Sequence, residues 1–169
     1  GRRRRFMATS KEEAKGTITT VCSEAKALVD RFKLAPHPEG GFFVETFRSK
    51  SCTAIYFLIT PGSVSHMHIL EMDEIWHFYK GDPMTVIELD ENEPSQYRCT
   101  VLGSDYSKGH KSQYVVKAGT WFGSMPNKGS EYSFVGCTVA PPFQFEAFKM
   151  ATKDMYSKFP KAEGFLKAN

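Results

Sequence analysis

Two hydrophobic periods divide the chain. From Val21 to Lys33 the apolar positions Val21, Ala25, Leu28, Val29 and Phe32 recur at the spacing of one helix face, with Thr19 or Thr20 as the N-cap. Pro36 and Pro38 prevent the helix from continuing. From Gly41 onward the pattern changes to short runs rich in Val, Ile, Thr, Tyr and Phe. Strands are predicted at Phe42–Phe47, Thr53–Ile59, Ile75–Tyr79, Met84–Leu89, Gln96–Leu102, Gln113–Lys117, Thr120–Ser124, Tyr132–Val139 and Phe143–Met150. Turn clusters separate them, among them Pro61-Gly62, Gly81-Asp82-Pro83, Asn92-Glu93-Pro94 and Pro126-Asn127-Lys128-Gly129. Strands at this spacing predict an all-β sandwich, jelly roll or barrel, closed by a short helix at Lys153–Lys158 before Pro160.

Composition narrows this picture. A length of 169 residues suits one domain, and 41% hydrophobic with 14% aromatic residues can fill a core and argues against disorder. No apolar run approaches the ~20 residues of a membrane helix, so no membrane partner is expected. The net charge of +3 owes four of its basic residues to Arg2–Arg5; without them 18 basic residues face 19 acidic ones. Residues 1–6 read as a vector-derived remnant ahead of Met7, residues 7–19 as a flexible tail, 20–160 as a single domain and 161–169 as a C-terminal tail. The case for a nucleic-acid partner goes with the arginine run. The cysteines at 22, 52, 99 and 137 form no CxxC pair, and the stretch after Met7 is polar. This points to a reduced, cytoplasmic setting in which each thiol is a small buried group.

Candidate chemistry gathers at His66-Met67-His68, after the Pro61-Gly62 turn. Two residues apart on a strand, both imidazoles should face one way. Glu74 follows on the next strand, and His66, His68 and Glu74 together make a facial set suited to one divalent metal: zinc, nickel, manganese or iron. No organic cofactor is expected: the chain has no GxGxxG or Walker loop, and no GxSxG elbow either.

Gly62…His66-Met67-His68…Glu74…Gly81 resembles the first cupin motif, and Gly119…Pro126…Gly129…Tyr132 resembles a second motif whose histidine is replaced. His37-Pro38-Glu39-Gly40-Gly41, Glu45-Thr46, Asp73-Glu74-Ile75-Trp76-His77-Phe78-Tyr79 with Gly81-Asp82-Pro83, and Gly136-Cys137-Thr138-Val139-Ala140-Pro141 resemble the small cupin family DUF985, or cupin_5, from about Leu28 to Phe159. That resemblance implies a cupin jelly-roll β-barrel, a pocket inside it and a homodimer. The chain departs from the motif in spacing: three residues separate Gly62 from His66, and five separate His68 from Glu74. The family it resembles implies Arg in many members where this chain has His68.

Glu74 alternates with Trp76 and Phe78, so all three should share a face; an apolar wall beside the carboxyl would raise its pKa. His77 then faces out, in a structural or interface role. Glu45 alternates with Phe43 and Phe47 and is either a second carboxylate in the barrel or half of a salt bridge. Tyr56 and Tyr132 are candidate acids or pocket residues, and Trp76, Phe78 and Phe145 candidate walls for a substrate ring. The turn at His37–Gly41 reads as a device that positions the first strand.

Related cupins include sugar-phosphate isomerases and deoxysugar epimerases, so the leading expectation is an isomerase or epimerase of a sugar or sugar phosphate. Glu74 serves as base, His66 or a metal polarises the carbonyl, and Tyr132 or Tyr56 is the acid. If Glu74 ligates a metal, Glu45 becomes the base; the residues do not choose between these. A metal-dependent dioxygenase and a non-catalytic small-molecule binder are the alternatives.

Overall fold

The computed structural model describes residues 21–167; the expected remnant at 1–6, the tail at 7–19 and the proposed caps Thr19 and Thr20 lie outside them. Helix α1 (Ser23–Phe32) starts where the Cys22 thiol accepts the Ala25 N–H, at 3.4 Å, and ends at Lys33 in the left-handed conformation. Eleven strands follow: β1 (Ala35–Pro36), β2 (Phe42–Arg48), β3 (Thr53–Ile59), β4 (Ser65–Leu70), β5 (Asp73–Gly81), β6 (Met84–Leu89), β7 (Tyr97–Leu102), β8 (Gln113–Val116), β9 (Trp121–Pro126), β10 (Ser133–Ala140) and β11 (Phe148–Met150). Short helices α2 (Asp154–Lys158) and α3 (Glu163–Lys167) close the described chain.

The strands form two antiparallel sheets, ordered β1-β2-β3-β10-β5-β8 and β11-β4-β9-β6-β7. Period-two alternation sorts the side chains between the inner and outer faces. The inner faces meet around Phe57, Ile59, Trp76, Met84, Val86, Leu102, Val116, Phe122 and Val135. Outside the six-stranded sheet, α1 packs Ala25, Leu28, Val29 and Phe32 onto Leu58, Tyr132 and Phe134. Outside the five-stranded sheet, Met155, Phe159, Ala162 and Leu166 cover Met67, Ile87 and Leu89. At ~25 cal/mol per Å² of apolar burial, each such cover outweighs the weak intrinsic stability of a ten-residue or shorter helix. The segment from 161, expected as a tail, is therefore structured through Lys167, with Ala162 and Leu166 buried.

Two strand expectations change. The strand predicted at Phe143–Met150 is reduced to β11, preceded by a tight turn at Phe145–Ala147. This segment crosses from one sheet to the other, and the Phe143 N–H is taken by the Thr53 hydroxyl at 3.1 Å instead of by a ladder. Strand β4, carrying the two histidines, is bulged: Ser65 pairs with Ser124 and His68 with Phe122, so two residues stand opposite Gly123 alone. A Cβ on Gly123 would lie 2.8 Å from the Ser65 carbonyl oxygen, which is why the bulge faces a glycine.

Candidate functional site

A cavity of about 340 Å³ opens at one end of the inner space. Its polar wall is His37, Glu39, His68, Glu74 and Cys137; its apolar wall includes Phe43, Ile55, Leu70 and Val139, with Phe143, Phe145 and Phe148 toward the surface.

Four elements supply the polar groups. Glu74 comes from β5, opposite Val139 of β10, and Cys137 is the next inward residue on β10. His68 comes from β4 after the bulge. His37 and Glu39 come from the turn between β1 and β2. That turn is built by Gly40 and Gly41, at φ +101° and +76°; a Cβ on Gly40 would sit 1.9 Å from the Val64 carbonyl oxygen. His37 N–H donates to the Gly41 carbonyl at 2.9 Å, and His66 N–H to the Glu39 carbonyl at 2.7 Å, tying turn to strand.

The Glu39 carboxyl lies between two imidazoles. Oε2 is 3.1 Å from His68 Nδ1 and Oε1 is 3.5 Å from His37 Nδ1. His68 Nδ1 also donates to the His66 carbonyl at 2.6 Å, and its ring packs on Phe122 and Phe148. Burial sets the protonation states. It lowers His37 and His68 to about 4, so both are neutral at neutral pH. It raises Glu74 to about 7, opposed by a hydrogen bond from the Cys137 thiol. It raises Glu39 well above the usual carboxylate range, with Glu74 repelling a second charge. Burial, with the charge of Glu74, pushes the Cys137 thiol up as well.

The sequence-predicted residues divide. Glu74 and His68 meet in the cavity. His66 does not: the bulge breaks the two-residue rule and turns its side chain to an outer cleft beside Met67, Met150, Ala151 and Lys153. Glu45 reaches the mouth, where it is held by Arg48 in a two-pronged ion pair at 2.9 and 2.6 Å. Tyr56 and Tyr132 face away from the cavity, under α1, because their parity on β3 and beside β10 is the outer one. Trp76 points inward, as expected, but fills the core below the cavity, and Phe78 packs against that core. Only Phe145 of the three predicted ring walls lines the cavity, two-thirds exposed at its mouth. His77 faces out, 3.3 Å from the Thr138 hydroxyl. His37, Glu39 and Cys137 were not among the expected site residues. The sequence assigns the His37–Gly41 turn a structural role, and its paired glycines signal the backbone reversal there.

With His66 outside, the set of His66, His68 and Glu74 is not assembled. Among the described residues no group of three or more His, Cys, Asp or Glu side chains is arranged to hold a metal ion. With that set unassembled, the expected metal has no ligand group among the described residues, and no step is routed through one.

Two facing antiparallel sheets with a polar cavity between them are the architecture of a cupin domain. The chain belongs to the cupin superfamily family DUF985, whose model matches residues 26–151. It is 31% identical to protein SO0799 of Shewanella oneidensis, whose structure superposes with a TM-score of 0.79 over 85% of this chain and 95% of that one. A hypothetical protein from Leishmania major is 32% identical, with a TM-score of 0.76 over 85% and 96% of the two chains. A Saccharomyces cerevisiae protein is 27% identical over 150 residues, 73% of either chain. Oxalate decarboxylase from Bacillus subtilis shares the fold at 13% identity and a TM-score of 0.55, over 76% of this chain and 35% of that one. No helix among the described residues is long and apolar enough to cross a membrane.

Proposed function

We propose that the protein is an isomerase or epimerase of a small sugar-like carbonyl compound, with Glu74 as the base. The observation that carries this reading is two buried carboxyls in one cavity, Glu39 and Glu74, both raised by burial. Glu74, raised to about 7, is substantially ionised at neutral pH, and burial raises Glu39 well above the usual carboxylate range as well. The ionised carboxylate takes a proton from the carbon beside a carbonyl. It returns that proton to the same carbon or to its neighbour. Glu39 is a positioning residue that fixes both imidazoles. The apolar wall keeps water away from the exchanged proton.

The cavity favours an unphosphorylated substrate. Of Arg48, Lys50, Lys108 and Lys128, only Arg48 lines it, and Glu45 already holds that guanidinium. A phosphate dianion would find one engaged cation.

The test is a panel of unphosphorylated aldoses and ketoses in D2O, with loss of the proton beside the carbonyl followed by NMR. The wild type should exchange a member of the panel at least ~100-fold faster than Glu74→Gln. No exchange with any member, or equal exchange by the variant, overturns the reading. The ring of Phe143, Phe145 and Phe148 at the mouth supports a second reading, a binder without turnover; ligand-induced thermal stabilisation without exchange would establish it.

A further inference from the structure

The two cavity histidines share the Glu39 carboxyl at Nδ1, at 3.1 Å for His68 and 3.5 Å for His37, but meet different backbone partners at that atom. His68 Nδ1 lies 2.6 Å from the His66 carbonyl oxygen, which only accepts, so this nitrogen carries the proton. His37 Nδ1 lies 3.2 Å from the Glu39 backbone N–H, which only donates, so this nitrogen carries the lone pair. In a neutral ring the second nitrogen takes the opposite role. His68 Nε2 is then an acceptor and His37 Nε2–H a donor. Among the described residues neither Nε2 has a hydrogen-bond partner. Neither counts among the polar atoms sealed from water without a partner, which are Ser65 Oγ, Trp76 Nε1, His110 Nδ1 and Ser124 Oγ. Each Nε2 therefore opens toward the cavity that both rings line.

We infer that His37 and His68 are fixed in opposite tautomers, and that the cavity selects a short compound bearing a hydroxyl beside its carbonyl, with His37 Nε2–H on the carbonyl oxygen and the hydroxyl donating to His68 Nε2. The binding assignment stands on the hydrogen bonds above; its catalytic consequence rests on Glu74 being the base. Glu74 takes the proton from the hydroxyl-bearing carbon. The C–H pair becomes the C=C bond of an enediolate, and a C=O pair moves onto oxygen, where His37 Nε2–H holds the charge. Glu74 returns the proton to the former carbonyl carbon. The hydroxyl proton passes to the former carbonyl oxygen, giving the isomer with no atom gained or lost. A plain ketone would leave His68 Nε2 unmatched, and a carboxylate would face the ionised Glu74.

The test uses the whole chain with 15N-labelled histidine, its ring signals assigned through His37→Gln and His68→Gln. Long-range 1H–15N spectra should show His68 protonated at Nδ1 and His37 at Nε2. Hydroxyacetone should shift the Nε2 signals of both rings; 2-butanone, which lacks the hydroxyl, should shift His37 alone. The reverse tautomer at either ring, or equal shifts of His68 with both probes, overturns the inference. In parallel, exchange of the hydroxyacetone C–H in D2O should fall at least ten-fold in His37→Ala and disappear in Glu74→Gln. Correct tautomers and probe shifts without exchange uphold the binding assignment and remove the proposed isomerase. Glu74-dependent exchange with reversed tautomers removes the inference alone.

Discussion

Two pairs of polar residues, each with members two positions apart, approach the space between the two sheets differently. His37 and Glu39 sit in a turn, His66 and His68 on a strand. The turn delivers both side chains to the cavity; the strand delivers one. Alternation would send His66 and His68 the same way, but two residues of β4 stand against Gly123, and the bulge shifts the parity between them. In the turn no alternation applies. Two glycines at positive φ reverse the backbone so tightly that His37 Nδ1 accepts the Glu39 N–H. A residue pair therefore reads as a site only together with the backbone that carries it.

The comparison can be broken most severely at Glu74, the group on which the turn and the strand converge. Glu74→Gln should lower proton exchange by ~10³-fold, measured by NMR in D2O, while the protein stays folded at pH 8 by circular dichroism. A folded variant with full exchange would remove Glu74 as the base.

The next effect concerns the turn. Gly40→Ala places a Cβ against the Val64 carbonyl at a φ few residues with side chains adopt. A loss of about 3 kcal/mol in urea unfolding is expected, with exchange lost alongside. Wild-type stability would show that the turn is less constrained than its geometry implies.

A smaller effect separates the carboxyl from the imidazoles by pH. Glu74 rises from 4.5 to about 7 on folding, so the folded state holds a proton that the unfolded chain releases. Its contribution to stability is complete below pH 4.5 and is lost as pH rises through about 7. His37 and His68 fall from 6.5 to about 4; their contribution is complete above pH 6.5 and is lost as pH falls through about 4. Urea midpoints across pH 4–9 should show Glu74→Gln reducing the decline on the alkaline side, where Glu39 also contributes, and His68→Gln softening the acid side. The reverse assignment would contradict the burial-driven shifts.

The smallest effect is expected at the strand's stray histidine. His66→Gln should leave exchange within about two-fold of wild type, since the ring lines the outer cleft and not the cavity. A large loss would bring His66 back into the site.

Much of the fold was legible because alternating strands write their burial into sequence. Thr53–Ile59 and Met84–Leu89 begin and end where predicted. The same alternation put Glu74, Trp76 and Phe78 on one face and His77 on the other, as found. It also held the information that Tyr56 shares parity with Ala54 and Leu58 and so faces α1, which a search for phenolic acids passed over. The site was less legible where backbone geometry departs from the regular period. The β4 bulge is set by a partner residue, Gly123, more than fifty positions away, and nothing local to His66 announces it. The turn concealed His37 and Glu39 for the complementary reason: its glycines signal a reversal but not which side chains the reversal gathers. Of the two alternatives for Glu45 the structure shows the salt bridge, with Arg48 at the cavity mouth, and not a second carboxylate inside.

The most direct test needs no substrate. The central claim is that the cavity between the two sheets holds the Glu74 carboxyl poised near neutrality. With 13Cδ-labelled glutamate, and Glu74→Gln to assign the signal, the Glu74 carboxyl should titrate with a midpoint near 7. A midpoint near the ordinary 4.5 would contradict the account, because a carboxyl fully ionised across the neutral range would show that the cavity does not tune the base as its burial implies.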